Sequence, residues 1–270
     1  MRKLVRYTCL AALLFPAKFV FSQVEVLEDL IHDTELQVYK QRSYFGQIHS
    51  GGFGLGYRFG NIRSITKYNF QEFDFLQLKH PKAERRPGSW NRMGNPRRYI
   101  HGGINQLFAF RYGLGTQRTL NEKPYWGGIQ VDYVVSIGGI LGLAIPQYLS
   151  ILYHDTTQPG FIFYTETEKY DPSNPIHNNP QDINGMGPLF RGLFNLRPYP
   201  GIYGKFAFNF DFGNYQERVS ALEVGVMIDV FPIPVPMMAT PAKNNVALLV
   251  PDKNFFFFNF YIAYHFGRRR

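Results

Sequence analysis

The stretch K-F-A-F-N-F-D-F, Lys205 to Phe212, places phenylalanine at every second position and fills the gaps with Lys, Ala, Asn and Asp. Successive side chains of a strand point to opposite faces, so Phe206, Phe208, Phe210 and Phe212 share one face and Lys205, Asn209 and Asp211 the other. The alternation recurs with the same aromatic bias. Phe53, Leu55, Tyr57 and Phe59 oppose Gly54, Gly56, Arg58 and Gly60, and Phe108, Phe110, Tyr112 and Leu114 oppose Ala109, Arg111, Gly113 and Gly115. Ile129, Val131, Tyr133, Val135 and Ile137 face away from Gln130, Asp132, Ser136 and Gly138. Leu222, Val224, Val226, Ile228 and Val230 oppose Glu223, Gly225 and Asp229. The last row sets Phe256, Phe258, Phe260, Ile262, Tyr264 and Phe266 against Asn259, Ala263, His265 and Gly267.

An apolar face can be the core of a soluble sandwich or the lipid-facing wall of a membrane barrel. Three features favour the barrel. The rows run for about ten residues or more, the length a tilted strand needs to cross a bilayer, whereas strands of soluble domains average about five or six. The 18 Tyr and 26 Phe concentrate in them, as interfacial girdles require. The opposite face is rich in Gly with isolated charges of both signs, which suits a narrow lumen filled by side chains. The expected fold is therefore all-β, an antiparallel transmembrane β-barrel of about ten strands, within a range of about eight to twelve, carrying long extracellular loops.

The first residues read as an export signal. Arg2, Lys3 and Arg6 precede the apolar run Leu10 to Phe15, and Val20 and Ser22 are small residues before a cut at Gln23. The organisation expected is a signal peptide over 1–22, a periplasmic segment over 23–35 and an outer-membrane barrel over 36–270. The one cysteine, Cys9, falls inside the signal, so the exported chain has neither disulfides nor a thiol nucleophile. No apolar run outside the signal is long enough for a membrane helix. The net charge of +9 would ordinarily suggest nucleic acid, but an exported barrel does not meet it, and anionic lipid or lipopolysaccharide is the expected counterion.

Alternation and turn residues place strands near 36–48, 51–60, 65–79, 101–115, 126–138, 140–152, 160–166, 202–213, 217–231 and 254–267. With both ends in the periplasm, the long segments 80–100, 167–201 and 232–253 fall on the cell surface. The short connections 60–64, 116–125, 153–159 and 213–216 fall inside. Among the surface segments, 79–98 holds Lys82, Arg85, Arg86, Trp90, Arg92, Arg97 and Arg98, a solvated basic loop or a contact for lipid phosphate or an acidic partner. Residues 171–200 end in the apolar L-F-R-G-L-F-N-L, which could fold back as a lid or dock to a partner. The run F-P-I-P-V-P-M-M, with Phe231, Ile233, Val235, Met237 and Met238, reads either as a partner-docking loop or as packing inside the barrel mouth.

The lumen face gathers Arg58, Glu72, Asp74, Arg111, Asp132, Lys205, Asp211, Glu223 and Asp229. Unpaired charge is costly away from water, so these are expected to pair into a plug-like network that opposes an open pore. Ser136, His101, His154 with Asp155, and His265 are the residues a barrel hydrolase or acyltransferase could use, but none has a partner at a diagnostic spacing. No catalytic, cofactor-binding or metal site is assigned, and no cofactor is expected.

Residues 102–152 contain G-G-I-N-Q-L-F-A-F-R-Y-G-L-G-T-Q-R-T-L-N-E-K and then G-G-I-Q-V-D-Y-V-V-S-I-G-G-I-L-G-L-A-I-P-Q-Y-L, preceded by K-H-P-K at 79–82. This block resembles uncharacterised small outer-membrane barrels of the Bacteroidota and, more distantly, the porin-like accessory barrels of that group's type IX protein-secretion machinery. The resemblance implies an outer-membrane location and a non-enzymatic structural or accessory subunit of an envelope complex, with a protein partner. The alternatives are a narrow channel for small or apolar solutes and a lipid-modifying enzyme using His101 or His154.

Overall fold

A computed structural model describes residues 40–64, 66–88, 97–122, 128–155, 162–188, 190–213, 218–242 and 245–270. The signal and the periplasmic segment expected from the sequence lie outside these residues. Eight strands close into an antiparallel barrel: β1 (Lys40–His49), β2 (Gly52–Ser64), β3 (Lys67–Leu78), β6 (Asn105–Asn121), β7 (Gln130–Pro146), β11 (Arg197–Asp211), β12 (Arg218–Ala242) and β13 (Asn245–Arg269). Each pairs with its neighbour in the chain, and β13 returns to β1 with Gln41 opposite Arg269 and His49 opposite Tyr261. Closure leaves no unpaired barrel edge, which a lipid environment demands of any sheet.

Burial follows the alternation, but inverted relative to a soluble protein. On β11, Phe206 and Phe208 are exposed, whereas Lys205, Ala207, Asn209 and Asp211 are buried. On β13 the outward row from Phe256 to Phe266 is exposed, and Asn259, Ala263 and His265 are buried. Leu55, Phe73, Phe110, Tyr112 and Ile137 continue the exposed apolar belt around the wall. A surface that is greasy throughout its girth, around an interior of charges, is stable only with lipid outside. The chain is a transmembrane β-barrel, and a closed antiparallel barrel of this construction belongs to an outer membrane.

Eight strands fall within the expected range of about eight to twelve, and the difference from ten lies in one region. The rows 126–138 and 140–152 were expected to be two strands turning at Gly138–Gly139. Instead β7 runs unbroken through both glycines, neither of which has positive φ. Gly138 serves close packing, since a Cβ there would strike the backbone of Tyr112 and Gly113 on β6. Beyond Pro146 the chain leaves the wall. β8 (Tyr148–Asp155), β9 (Ile162–Lys169) and β10 (Ile183–Met186) form a separate three-stranded sheet in the order β10-β8-β9. The connection 153–159, expected at the short-turn end, therefore joins two strands that do not cross.

One end of the barrel carries the chain ends of β1 and β13 and the short connections after β2, β6 and β11. The other carries everything long. There, β4 (Arg85–Arg86) pairs with β5 (Tyr99–Ile100), and the segment between β7 and β11 holds β8–β10 with the helical turns α1 (Pro175–Asn178) and α2 (Phe190–Leu193). The β12–β13 hairpin, 25 residues on each arm, runs on past the barrel into the same end. The region 232–253, expected as a loop, is thus mostly strand. Two of its prolines, Pro232 and Pro234, fall where pairing is broken: the β12–β13 ladder skips from Val230 to Val235, and a strand tolerates missing N–H groups at such a bulge. Tyr99, Leu149, Ile151, Tyr170, Ile183 and Ala239 form one buried cluster that ties β5, the three-stranded sheet and the β12 extension into a cap.

Candidate functional site

The lumen is built in layers. Nearest the short-turn end, Asp211 accepts from Arg269 Nη2 at 2.7 Å and from the backbone N–H of Gly213 at 2.8 Å. Asp132 is held by neutral amides: Gln117 Nε2 at 2.7 Å, Gln130 Nε2 at 2.8 Å and Asn209 Nδ2 at 3.3 Å. These two carboxylates belong to this polar floor, their partners being Arg269, Gly213, Gln117, Gln130 and Asn209.

The next layer centres on Arg58. Its Nε donates to Glu72 Oε2 at 2.8 Å and its Nη1 to Glu223 Oε2 at 2.8 Å, so one guanidinium clamps carboxylates from β3 and β12. This fork is what Arg supplies and Lys cannot. The guanidinium also lies 4.2 Å from the centroid of Phe70, a cation–π contact between two buried side chains. Lys205 reaches Glu72 Oε1 at 2.5 Å and lies 3.7 Å from Asp74 and 3.8 Å from Glu223. Tyr261 donates to Glu223 Oε1 at 2.6 Å, and His265 Nε2 sits 3.3 Å from the same residue's Oε2. Inward glycines make room for these large groups. A Cβ at Gly56 would collide with the Phe45 ring, and one at Gly115 with the Phe70 ring.

One step further along the axis, Arg111 donates to both oxygens of Asp229 at 2.5 Å and to Met227 Sδ at 3.0 Å, while its guanidinium lies 5.1 Å from the Tyr203 ring centroid. Asp74 stands between the two cationic centres, 4.0 Å from Arg111, and neither of its oxygens accepts a hydrogen bond. The network thus sets Arg58, Lys205 and Arg111 against Glu72, Asp74, Glu223 and Asp229. None of these seven exceeds 3 % exposure. Isolated ions would cost several kcal/mol each here, so the pairing is a condition of folding.

Above the charges the lumen turns apolar. Leu76, Leu78, Leu107, Ile140, Tyr199, Phe231, Val235, Met237 and Phe257 are among the buried residues that pack across the mouth. Of the F-P-I-P-V-P-M-M run, Phe231, Val235, Met237 and Met238 are buried and Ile233 alone of the five is exposed. β12 continues here as a strand with register shifts after Val230 and Pro236, and four of the five side chains are packed at the barrel mouth. A cavity of about 30 Å³ between them and His80, Asn105 and Gln147 has room for about one water.

The basic segment sits at the rim. Arg85, Arg86, Arg97 and Arg98 are exposed, and Lys82 is 67 % exposed with Asp252 3.9 Å away. Trp90 and Arg92 lie outside the described residues. His80 is buried beside Asp252 at 3.9 Å; burial holds its imidazole below the ordinary value, with Asp252 opposing. His101, in the turn after β5, is lowered by burial and further by Arg86. Ser136 lies buried inside the barrel on β7, and His265 lies on β13, a strand that does not border β7. His154 and Asp155 end β8, outside the barrel wall. The histidines and the serine are thus spread over lumen, rim and cap.

Glu72 and Asp74, placed on the lumen face by the sequence, alternate on β3 with the exposed Phe73 and Phe75. Tyr261, Tyr203 and Phe70 were not so placed, because an inward aromatic on an aromatic-rich strand carries no distinguishing signal.

No family model and no curated protein matches the sequence. Among solved structures, the chain is similar to Ail, the attachment invasion locus protein of Yersinia pestis, crystallised in complex with the heparin analogue sucrose octasulfate. The identity is 8 %, 86 % of this chain and 99 % of that one are covered, and the TM-score is 0.36. It is also similar to Neisserial surface protein A, at 6 % identity over 86 % of this chain and 95 % of that one, with a TM-score of 0.35. Likenesses of this strength carry no functional argument, and the membrane-barrel assignment rests on this chain's own closed sheet and inverted burial.

Proposed function

We propose that the protein is a non-conducting, non-enzymatic outer-membrane platform: a plugged barrel that holds a folded cap at the cell surface as a structural or accessory subunit of an envelope assembly. The observation that carries this reading is the filled lumen. Three buried cations and four buried carboxylates occupy the middle of the barrel, and an apolar layer crosses the mouth above them. A solute path would have to break the Arg58 and Arg111 clamps, at several kcal/mol each. Chain length beyond the wall goes instead into the cap, whose buried cluster gives it a fixed shape able to present a surface.

Exposed Lys82, Arg85, Arg86, Arg97 and Arg98 at the rim suit the phosphates of outer-membrane lipid or lipopolysaccharide, which such a platform would meet there. The test is native extraction in mild detergent followed by mass spectrometry of co-purifying chains. A stoichiometric envelope protein lost when the cap segment 148–188 is replaced by a short linker is the expected result. A lone monomer from native membranes would overturn the accessory role.

A further inference from the structure

We propose that residues 190–196, the helical turn α2 and its exit, are a lipid anchor that rests on the outer wall of the barrel and inserts its aromatic side chains into the outer leaflet. On β7 the odd-numbered residues face outward: Val135, Ile137 and Leu141 are exposed to the membrane, and Ile145 continues the same row. Ile145 is nevertheless only 7 % exposed. What covers it is α2. Gly192 is buried against it, so close that a Cβ at Gly192 would meet Ile145 Cγ2 at 2.6 Å and the carbonyl of Pro146 at 2.7 Å. The turn therefore lies on the lipid side of the wall rather than over the lumen, which disposes of a lid.

The height is right for the interface. From Tyr133 to Leu143, ten residues of a strand tilted about 40° climb roughly 25 Å, the height of the apolar band of such barrels. Ile145 and the turn covering it stand one step above, where headgroups meet acyl chains.

The turn is sorted by polarity. Arg191 Nη1 donates to the carbonyl of Thr167 on β9 at 3.2 Å, and Asn195 Nδ2 donates to the Tyr148 hydroxyl on β8 at 3.0 Å. These bonds fix the turn to the cap sheet. The apolar residues are left outside: Phe194 is 92 % exposed, Phe190 78 %, with Leu193 and Leu196 also exposed. In water such a cluster would be an aggregation site. Next to a wall already facing lipid, on the row of Leu141 and beside the outward Pro198 and Pro200 of β11, it extends that interface without a break. Exposed Arg191 and Arg197 flank it and suit anionic headgroups. The inference rests on the membrane-barrel fold and stands whether or not a protein partner is found.

The test is a single-tryptophan variant, F194W with Trp90 and Trp126 replaced by Phe, refolded into vesicles of zwitterionic and anionic phospholipid. F206W in the same background serves as a mid-wall control, and heat-modifiable gel mobility checks folding. Lipids brominated high on the acyl chain should quench the residue-194 emission by roughly twofold or more, and more than lipids brominated near the chain end, as interfacial burial requires. F206W should show the reverse order. Should F194W fail to fold, F190W gives the same reading. Emission quenched by aqueous iodide and untouched by brominated lipid would overturn the anchor. So would shielding seen only in native membranes, which would make a protein the occupant.

Discussion

Arg58 and Arg86 are the same residue in opposite circumstances. Arg58 is 2 % exposed, clamps Glu72 and Glu223 and stacks on Phe70, whereas Arg86 projects from a two-residue strand at the rim, exposed to solvent. The pair teaches that net charge says little about this molecule until it is divided by place. The lumen charges are a structural element, without which a barrel this narrow could not bury its inner face. The rim charges are free to meet a ligand.

The largest effect should come from breaking the clamp. Arg58→Met leaves the buried Glu72 and Glu223 short of their shared partner and should cost about 3–5 kcal/mol of unfolding free energy. Urea titration in detergent, followed by circular dichroism and gel mobility, measures it; a loss below about 1 kcal/mol would mean the network is not structural. A sharper variant is Asp74→Asn. Asp74 accepts no hydrogen bond and is the fourth carboxylate beside three cations, so the neutral amide should be tolerated, changing stability by no more than about 1 kcal/mol in either direction. A loss matching that of Arg58→Met would show that Asp74 is an indispensable counterion.

At the rim the expectation inverts. Replacing Arg85, Arg86, Arg97 and Arg98 together by Ala should change stability by no more than about 0.5 kcal/mol per residue, as for exposed positions generally. The same variant should bind phosphorylated lipopolysaccharide more weakly and with a flatter salt dependence. Unchanged binding would make this a merely solvated loop.

The smallest effect concerns acid. Burial holds the His80 imidazole below its ordinary value, so the unfolded chain takes up the proton first as pH falls through about 6.5. Its contribution is present above that pH and is lost toward the lower folded value. The mouth should thus become more accessible to limited proteolysis between about pH 7 and pH 5, and His80→Gln should blunt the change while leaving the barrel intact. A pH profile unaltered by the substitution would exclude His80 as its source.

How much of this was legible in the sequence depends on what alternation reports. It identifies the two faces of a strand, and so it gave the lipid rows of β2, β6, β11 and β13 and the inward positions of Arg58, Arg111, Lys205 and Glu223. It does not say what covers the apolar face. Leu149 and Ile151 of β8 alternate as a wall strand would, but their buried face meets Tyr99 and Ile183 in the cap, so two cap strands were read as staves and the count came out high. Gly138–Gly139 looked like a turn because glycine marks both turns and close backbone packing. The prolines of 232–236 looked like a loop because a bulged strand extension and a loop share that composition. The Arg58–Glu223 contact joins residues 165 positions apart, and its existence follows from barrel closure rather than from any local pattern.

The claim on which the rest depends is that the lumen is closed, and planar-bilayer recording of the purified full-length barrel tests it most directly. The expected trace is flat for the native protein, with transient openings introduced by Arg58→Met where the clamp is lost. Steady, ohmic single-channel steps from the native barrel at moderate voltage would contradict the plugged lumen and with it the platform role.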